Sequence, residues 1–158
     1  MEIITGLRKL QVNTRDLLDW EEARDLALAG ADEAQAQIVR EVFTARRAAL
    51  NGDGPVYEFE VGPPEFLHQW QAVEWARKEG LWDGRPENLS LFLVSQLDLL
   101  FRLKSWRGFQ AQGQPLPCTL DNKILVFGQA PQIIRVLERK LAAAEDAERK
   151  NSEPSRPG

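Results

Sequence analysis

The chain is poor in the side chains that most often carry chemistry: its 158 residues include one His (His68), one Cys (Cys118), one Tyr (Tyr57) and one Met. A single cysteine closes no intramolecular disulfide, and a zinc site needs three or four clustered ligands, so neither a metal nor a cofactor is expected. A basic face is missing as well. Twenty Lys and Arg against 24 Asp and Glu leave a formal net charge of -4 and a pI near 5.2, the wrong sign for a phosphate backbone, which argues against nucleic-acid binding. The most apolar stretch, residues 89–103, is interrupted by Ser95, Gln96, Asp98 and Arg102, whereas a membrane span needs roughly 20 mostly apolar residues. No transmembrane segment is expected. The first residues carry Glu2, Arg8 and Lys9 with no apolar core behind them, which predicts no secretory signal and a cytosolic location. Phosphate-cradling glycine patterns are absent too, because Asn51-Gly52-Asp53-Gly54 is acidic, lacks the Lys and leads into a strand.

Against these absences stand 43% hydrophobic residues, seven Phe and five Trp, enough apolar surface to offset the entropy of ordering one domain. Asn13 or Thr14 caps a first helix ending at Gly30, and Asp16, Asp19, Glu21 and Glu22 load its first turns as the helix dipole favours. Asp32 with Gln35 resembles a capping box for a second helix. On it Ile38, Val39, Val42, Phe43, Ala49 and Leu50 share a sector of about 140°, expected to face the core, with Arg46 snorkelling out of it. Asn51 to Pro55 is a turn, and Val56–Val61 alternates with Tyr57, Phe59 and Val61 on one face. That strand is expected to pair with residues near Ile3, or with another chain at an exposed edge.

Gly62-Pro63-Pro64 opens a third helix that Gly80 closes, with Phe66, Trp70 and Val73 on one face and Trp75 roughly opposite. After a loop at residues 81–85, Pro86 starts a fourth helix running to Trp106 as the central, mostly buried element. A loop follows, then a brief helix from Thr119 to about Gly128, and a last helix from Pro131 with Ile133, Ile134, Leu137, Leu141 and Ala144 inward. The expected fold is mainly α, a compact helical domain of about five or six helices with one or two short strands. Residues 1–50 form an N-terminal helical hairpin, 51–150 the helical core with its strand at 56–61, and 151–158 a disordered tail.

Catalysis would need His68 or Cys118. The helical neighbours of His68 are Glu65, Gln69 and Gln71, with no nucleophile among them, and Cys118 between Pro117 and Thr119 reads as a small packing group at a helix start. No catalytic residue is assigned. Tryptophan is the compositional excess and is enriched at interface hot spots. Trp70 and Trp106 continue apolar stripes and are expected in the core. Trp75, off its stripe, and Trp82, in a loop, are candidate partner-binding residues, together with Tyr57 and Phe59 of the strand.

From Val56 onward the order of segments is strand, helix after Pro63-Pro64, long apolar helix, Trp106-Arg107-Gly108-Phe109, then Gly113-Gln114-Pro115-Leu116-Pro117-Cys118-Thr119-Leu120-Asp121-Asn122. This resembles the small helical tail-assembly chaperones of long-tailed bacteriophages over about residues 56–144. The resemblance implies a non-enzymatic chaperone in the host cytoplasm that binds the tape-measure protein and helps recruit tail-tube subunits. Members of that family are often made in two forms by ribosomal frameshifting. The alternative is a structural virion protein, a head-tail connector or tail-completion subunit. Self-association is left open by both.

Overall fold

The computed structural model describes residues 6–52 and 54–152 and, within them, every side chain but those of residues 66–68, 91–93 and 152. Ile3 and Ile4, Asp53 of the turn and residues 153–158 of the expected tail lie outside the described residues. The fold is mainly α, with six α-helices and five short strands among the described residues. The chain makes two compact units, one from Met1–Leu10 and Glu58–Gln129, the other from Gln11–Tyr57 and Ala130–Gly158.

The second unit is built of helices α1 (Thr14–Ala29), α2 (Glu33–Ala48) and α6 (Pro131–Ser152). Asn13 closes a full capping box on α1: its Oδ1 accepts from the Asp16 amide at 2.8 Å, and the Asp16 carboxylate accepts from the Asn13 amide at 3.0 Å. Gly30 ends the helix at φ 59°, a conformation that a Cβ disfavours. Two residues later Asp32 caps α2, accepting from the amides of Ala34 and Gln35 at 3.1 Å each. The loop is so short that α1 and α2 form a hairpin, pinned away from its turn by Arg47, which donates to Asp19 and Glu22 at 2.9 Å each. The α6 helix packs on α1, and Lys140 Nζ bridges Asp16 and the Gln11 carbonyl at 2.7 Å. A chain division near residue 50 is therefore corrected, since the last helix belongs with the first two. The expected tail is corrected in its first two residues as well, because Asn151 and Ser152 continue α6. At the turn before the next strand Gly54 has φ 76°, and a Cβ there would overlap the Thr14 side chain.

A three-stranded sheet has the order β1 (Arg8–Asn13), β2 (Val56–Val61), β3 (Leu103–Arg107), of which residues 8–10, 58–61 and 103–107 belong to the first unit. With a strand on each side, β2 has its backbone groups taken up and is no edge for another chain, which removes that expectation. Phe59 stands opposite Trp106 and Val61 opposite Leu103, while Glu60 pairs with Ser105, so Lys104 is an extra residue bulged out of β3. The bulge puts Leu103 and Trp106 on one face at a spacing of three. That spacing mimics a helix, and it explains why the run to Trp106 reads as one continuous helix; α4 in fact spans Leu91–Arg102. Arg102, 4% exposed, ties the junction by donating to the Gly62 carbonyl at 3.0 Å and to Asp98 at 3.1 Å.

The α3 helix (Phe66–Lys78) lies on α4 through Ala72 and Ala76, small residues one turn apart that allow close approach to Leu97 of α4. Trp70 is 49% exposed, so its expected core place is corrected: α3 turns its alanine face inward and Trp70 outward. The expected fourth-helix start at Pro86 is only a single 3-10 turn, Pro86–Asn88. The expected loop after Trp106 contains a tight hairpin of β4 (Gln110–Ala111) and β5 (Gln114–Pro115) turning at Gln112 and Gly113, both with positive φ. It leads to α5 (Leu120–Gln129).

Candidate partner-binding surface

Of the residues singled out in the sequence, Phe59 is 1% exposed and pairs with Phe109 at 5.9 Å, so it is a core residue and is withdrawn from the docking surface. Tyr57 is half-buried at the start of the same strand. Trp75 and Trp82 both pack, partly buried, on the cluster of Ala72, Ala76 and Leu97. Trp75 meets Phe101 edge-on at 6.1 Å, and the Trp82 indole N–H donates to the Arg85 carbonyl at 3.0 Å. Both rings are engaged by their own unit.

The His68 side chain lies outside the described residues. Burial pushes the Cys118 thiol above its ordinary pKa of 9.0, against a smaller opposing pull from the Lys123 ammonium. Lys123 in turn is lowered chiefly by burial, and its Nζ donates to the Leu100 carbonyl at 3.0 Å. A thiol held protonated is a poor nucleophile. Among the described residues no group of three or more His, Cys, Asp or Glu is placed to hold a metal ion, and no helix is long and apolar enough to cross a membrane.

The surface that stands out lies elsewhere, along one flank of the α1–α2 hairpin. Of the α2 stripe expected to face the core, Phe43 is buried, 2% exposed, whereas Ile38 is 61% and Val42 42% exposed. Across from them in α1, Leu28 is 80% exposed. The buried contacts of α2 are Ala36 and Phe43, and α1 has no fully buried residue at all. Ion pairs tie the hairpin at its base, Phe43 is covered, and the part of the stripe formed by Ile38 and Val42 is left to solvent. A shallow open groove of about 350 Å³ runs there, lined by Asp25, Leu28, Ala29, Gln35, Ile38 and Val39. Toward the base Arg46 lies over the Phe43 ring at 5.1 Å with its head 3.7 Å from Glu21, the snorkelling posture expected of it.

The groove residues were legible in part. The α2 stripe shows plainly in the sequence, but a stripe says only that a helix has an apolar side. Leu28 carried a signal of its own: Leu26, Ala27, Leu28 and Ala29 make an apolar run at the end of α1, just where a hairpin tip meets water. In comparison with known proteins, the chain matches no protein-family model, no curated protein and no solved structure.

Proposed function

We propose that the chain is a non-enzymatic binding factor that shelters a helical segment of a larger protein in the host cytoplasm, as a tail-assembly chaperone does for a tape-measure protein while tail-tube subunits gather. The observation that carries this reading is the uncovered flank of the α1–α2 hairpin, with Leu28 exposed on α1 and Ile38 and Val42 exposed one turn apart on α2. Such a flank suits helix-in-groove recognition, in which burial and not a reactive group supplies the affinity. The magnitudes set what the partner must bring. Each of the three side chains yields about 1.5–3 kcal/mol when fully covered. Their sum is comparable with the roughly 4–15 kcal/mol that association itself costs, so a partner must also contact the flanks of the groove.

The test is co-expression of the full chain with the tape-measure protein of the same locus, followed by purification of the complex and of assembled particles. A one-to-one or higher-order complex that is lost in Leu28→Asp/Ile38→Asp, with the chain absent from particles, is the expected result. Recovery of the chain in particles at stoichiometric copy number would assign it instead to the virion, as a connector or tail-completion subunit.

A further inference from the structure

The charges around the groove say what kind of helix it takes. Two of the three exposed apolar anchors have a carboxylate three residues away on their own helix: Asp25 beside Leu28 on α1, and Glu41, which accepts from the Gln37 side-chain amide at 3.2 Å, beside Ile38 on α2. Glu33, at the start of α2, adds a side chain that is 87% exposed. Residues 24–42 contain four carboxylates, Asp25, Asp32, Glu33 and Glu41, against two guanidiniums. Arg24 is drawn across the Trp20 ring at 5.2 Å and bonds to Asp25 at 3.3 Å, and Arg40 stands 3.9 Å from Glu33. The cations are therefore turned onto carboxylates of their own hairpin; Arg24 and Asp25 offset one another on α1, and the excess of two negative charges over residues 24–42 lies at Asp32 and on α2.

We propose that the occupant of this groove is an amphipathic helix with lysines or arginines flanking its apolar stripe, an inference that rests on reading the hairpin flank as a helix-binding surface. The apolar stripe of such a helix covers Leu28, Ile38 and Val42, and its flanking cations reach the carboxylates at the rim. On α2 the groove is lined by Gln35, Ile38 and Val39, about one helical turn, and Val42 is exposed one turn beyond Ile38, so three to four turns of partner span the groove and Val42 together. A second copy of this chain is a poor occupant, because a two-fold contact would set the acidic rim against itself.

The test is titration calorimetry of the full chain with two designed helical peptides of about twenty residues that share one apolar stripe, one flanked by lysines and the other by glutamates. The lysine peptide is expected to bind about tenfold or more tighter, with the advantage shrinking as salt rises toward a Debye length of about 3 Å at 1 M. In Asp25→Lys/Glu41→Lys, whose circular dichroism is expected to match the parent chain, the preference should reverse. Equal binding of both peptides would overturn the charge inference and leave helix binding standing. Binding of neither would overturn both readings. Concentration-dependent self-association abolished by Leu28→Asp would overturn the inference in favour of a second copy.

Discussion

The indole N–H of Trp106 donates to the backbone carbonyl of Leu116 at 2.7 Å, closing a span of ten residues that contains the β4–β5 hairpin. Phe109 lies edge-on to Trp106 at 5.0 Å, and its carbonyl accepts from the Leu116 amide at 2.9 Å, so one ring fixes both ends of the excursion. Trp106→Phe keeps an aromatic body but leaves the Leu116 carbonyl short of a donor, an expected loss of about 1 kcal/mol. Trp106→Ala removes the packing as well, for an expected loss of about 3–5 kcal/mol. Urea unfolding of the two variants separates hydrogen bond from burial.

Arg102 and Asp98 form a largely buried pair at the end of α4, with side chains 5% and 18% exposed, and the second Asp98 oxygen is buried without a hydrogen-bond partner among the described atoms. Removing the guanidinium strands that carboxylate, so Arg102→Met is expected to cost about 3–5 kcal/mol. Adding Asp98→Asn should return part of the loss, because the uncompensated charge is gone. Two single variants and the double, compared by urea unfolding, make the cycle.

Local chemistry made much of the secondary structure legible. Asn13, Gly30 and Asp32 mark the helix ends of the hairpin where their caps and φ require them, and the alternation of Val56–Val61 marks β2. Tertiary choices were not legible. Leu103 and Trp106 keep a helical spacing only because Lys104 bulges out of β3, and no local pattern distinguishes that from a helix. The grouping of α6 with α1 depends on Lys140 reaching Asp16 across 124 residues of sequence. For the candidate site, the apolar stripe on α2 was visible, but whether a stripe faces a core or the solvent is decided by what else the chain has to lay on it. Here only Ala36 and Phe43 found cover.

Burial pushes the Glu138 carboxyl above its ordinary value of 4.5, opposed by the nearby Arg135 charge, and Glu138 Oε1 has no hydrogen-bond partner among the described atoms. A folded-state pKa above the unfolded one means that the fold is relatively favoured below about pH 4.5 and loses that advantage as pH rises through the raised value. At neutral pH the ionised carboxylate is therefore a net cost. Glu138→Gln is expected to raise the unfolding midpoint at neutral pH, with the gain vanishing below the ordinary carboxylate pKa. A series of urea titrations across that pH range shows whether the gain disappears on the acid side.

The same effect at Cys118 keeps a thiol protonated, since burial raises its pKa above 9.0 and the Lys123 charge only partly offsets it. Alkylation by iodoacetamide near neutral pH is expected to be several-fold slower in the native chain than in the chain unfolded in guanidinium. Native alkylation as fast as in the unfolded chain would show that burial does not hold the thiol protonated, and only alkylation faster than in the unfolded chain would reveal an activated thiolate and reopen a catalytic role for this residue.

Trp70 and Trp75 sit five residues apart on α3 and have opposite fates. Trp70 is 49% exposed, whereas Trp75 packs on Ala72, Ala76 and Leu97 with Phe101 at its edge. The sequence alone suggests the reverse, because Phe66, Trp70 and Val73 form the bulkier stripe. Bulk loses to closeness here: Ala72 and Ala76 let α3 approach α4, and Trp75 closes over the contact. Trp75→Ala is expected to lower stability by about 3 kcal/mol, toward the low end for a truncated aromatic because the ring is only partly buried. Trp70→Ala is expected to change it by about 0.5 kcal/mol or less, as for an ordinary surface position. Urea unfolding of both variants, followed by far-ultraviolet circular dichroism, checks the pair. A larger loss at Trp70 than at Trp75 would mean that α3 is rotated about its axis, with the phenylalanine and valine face inward after all.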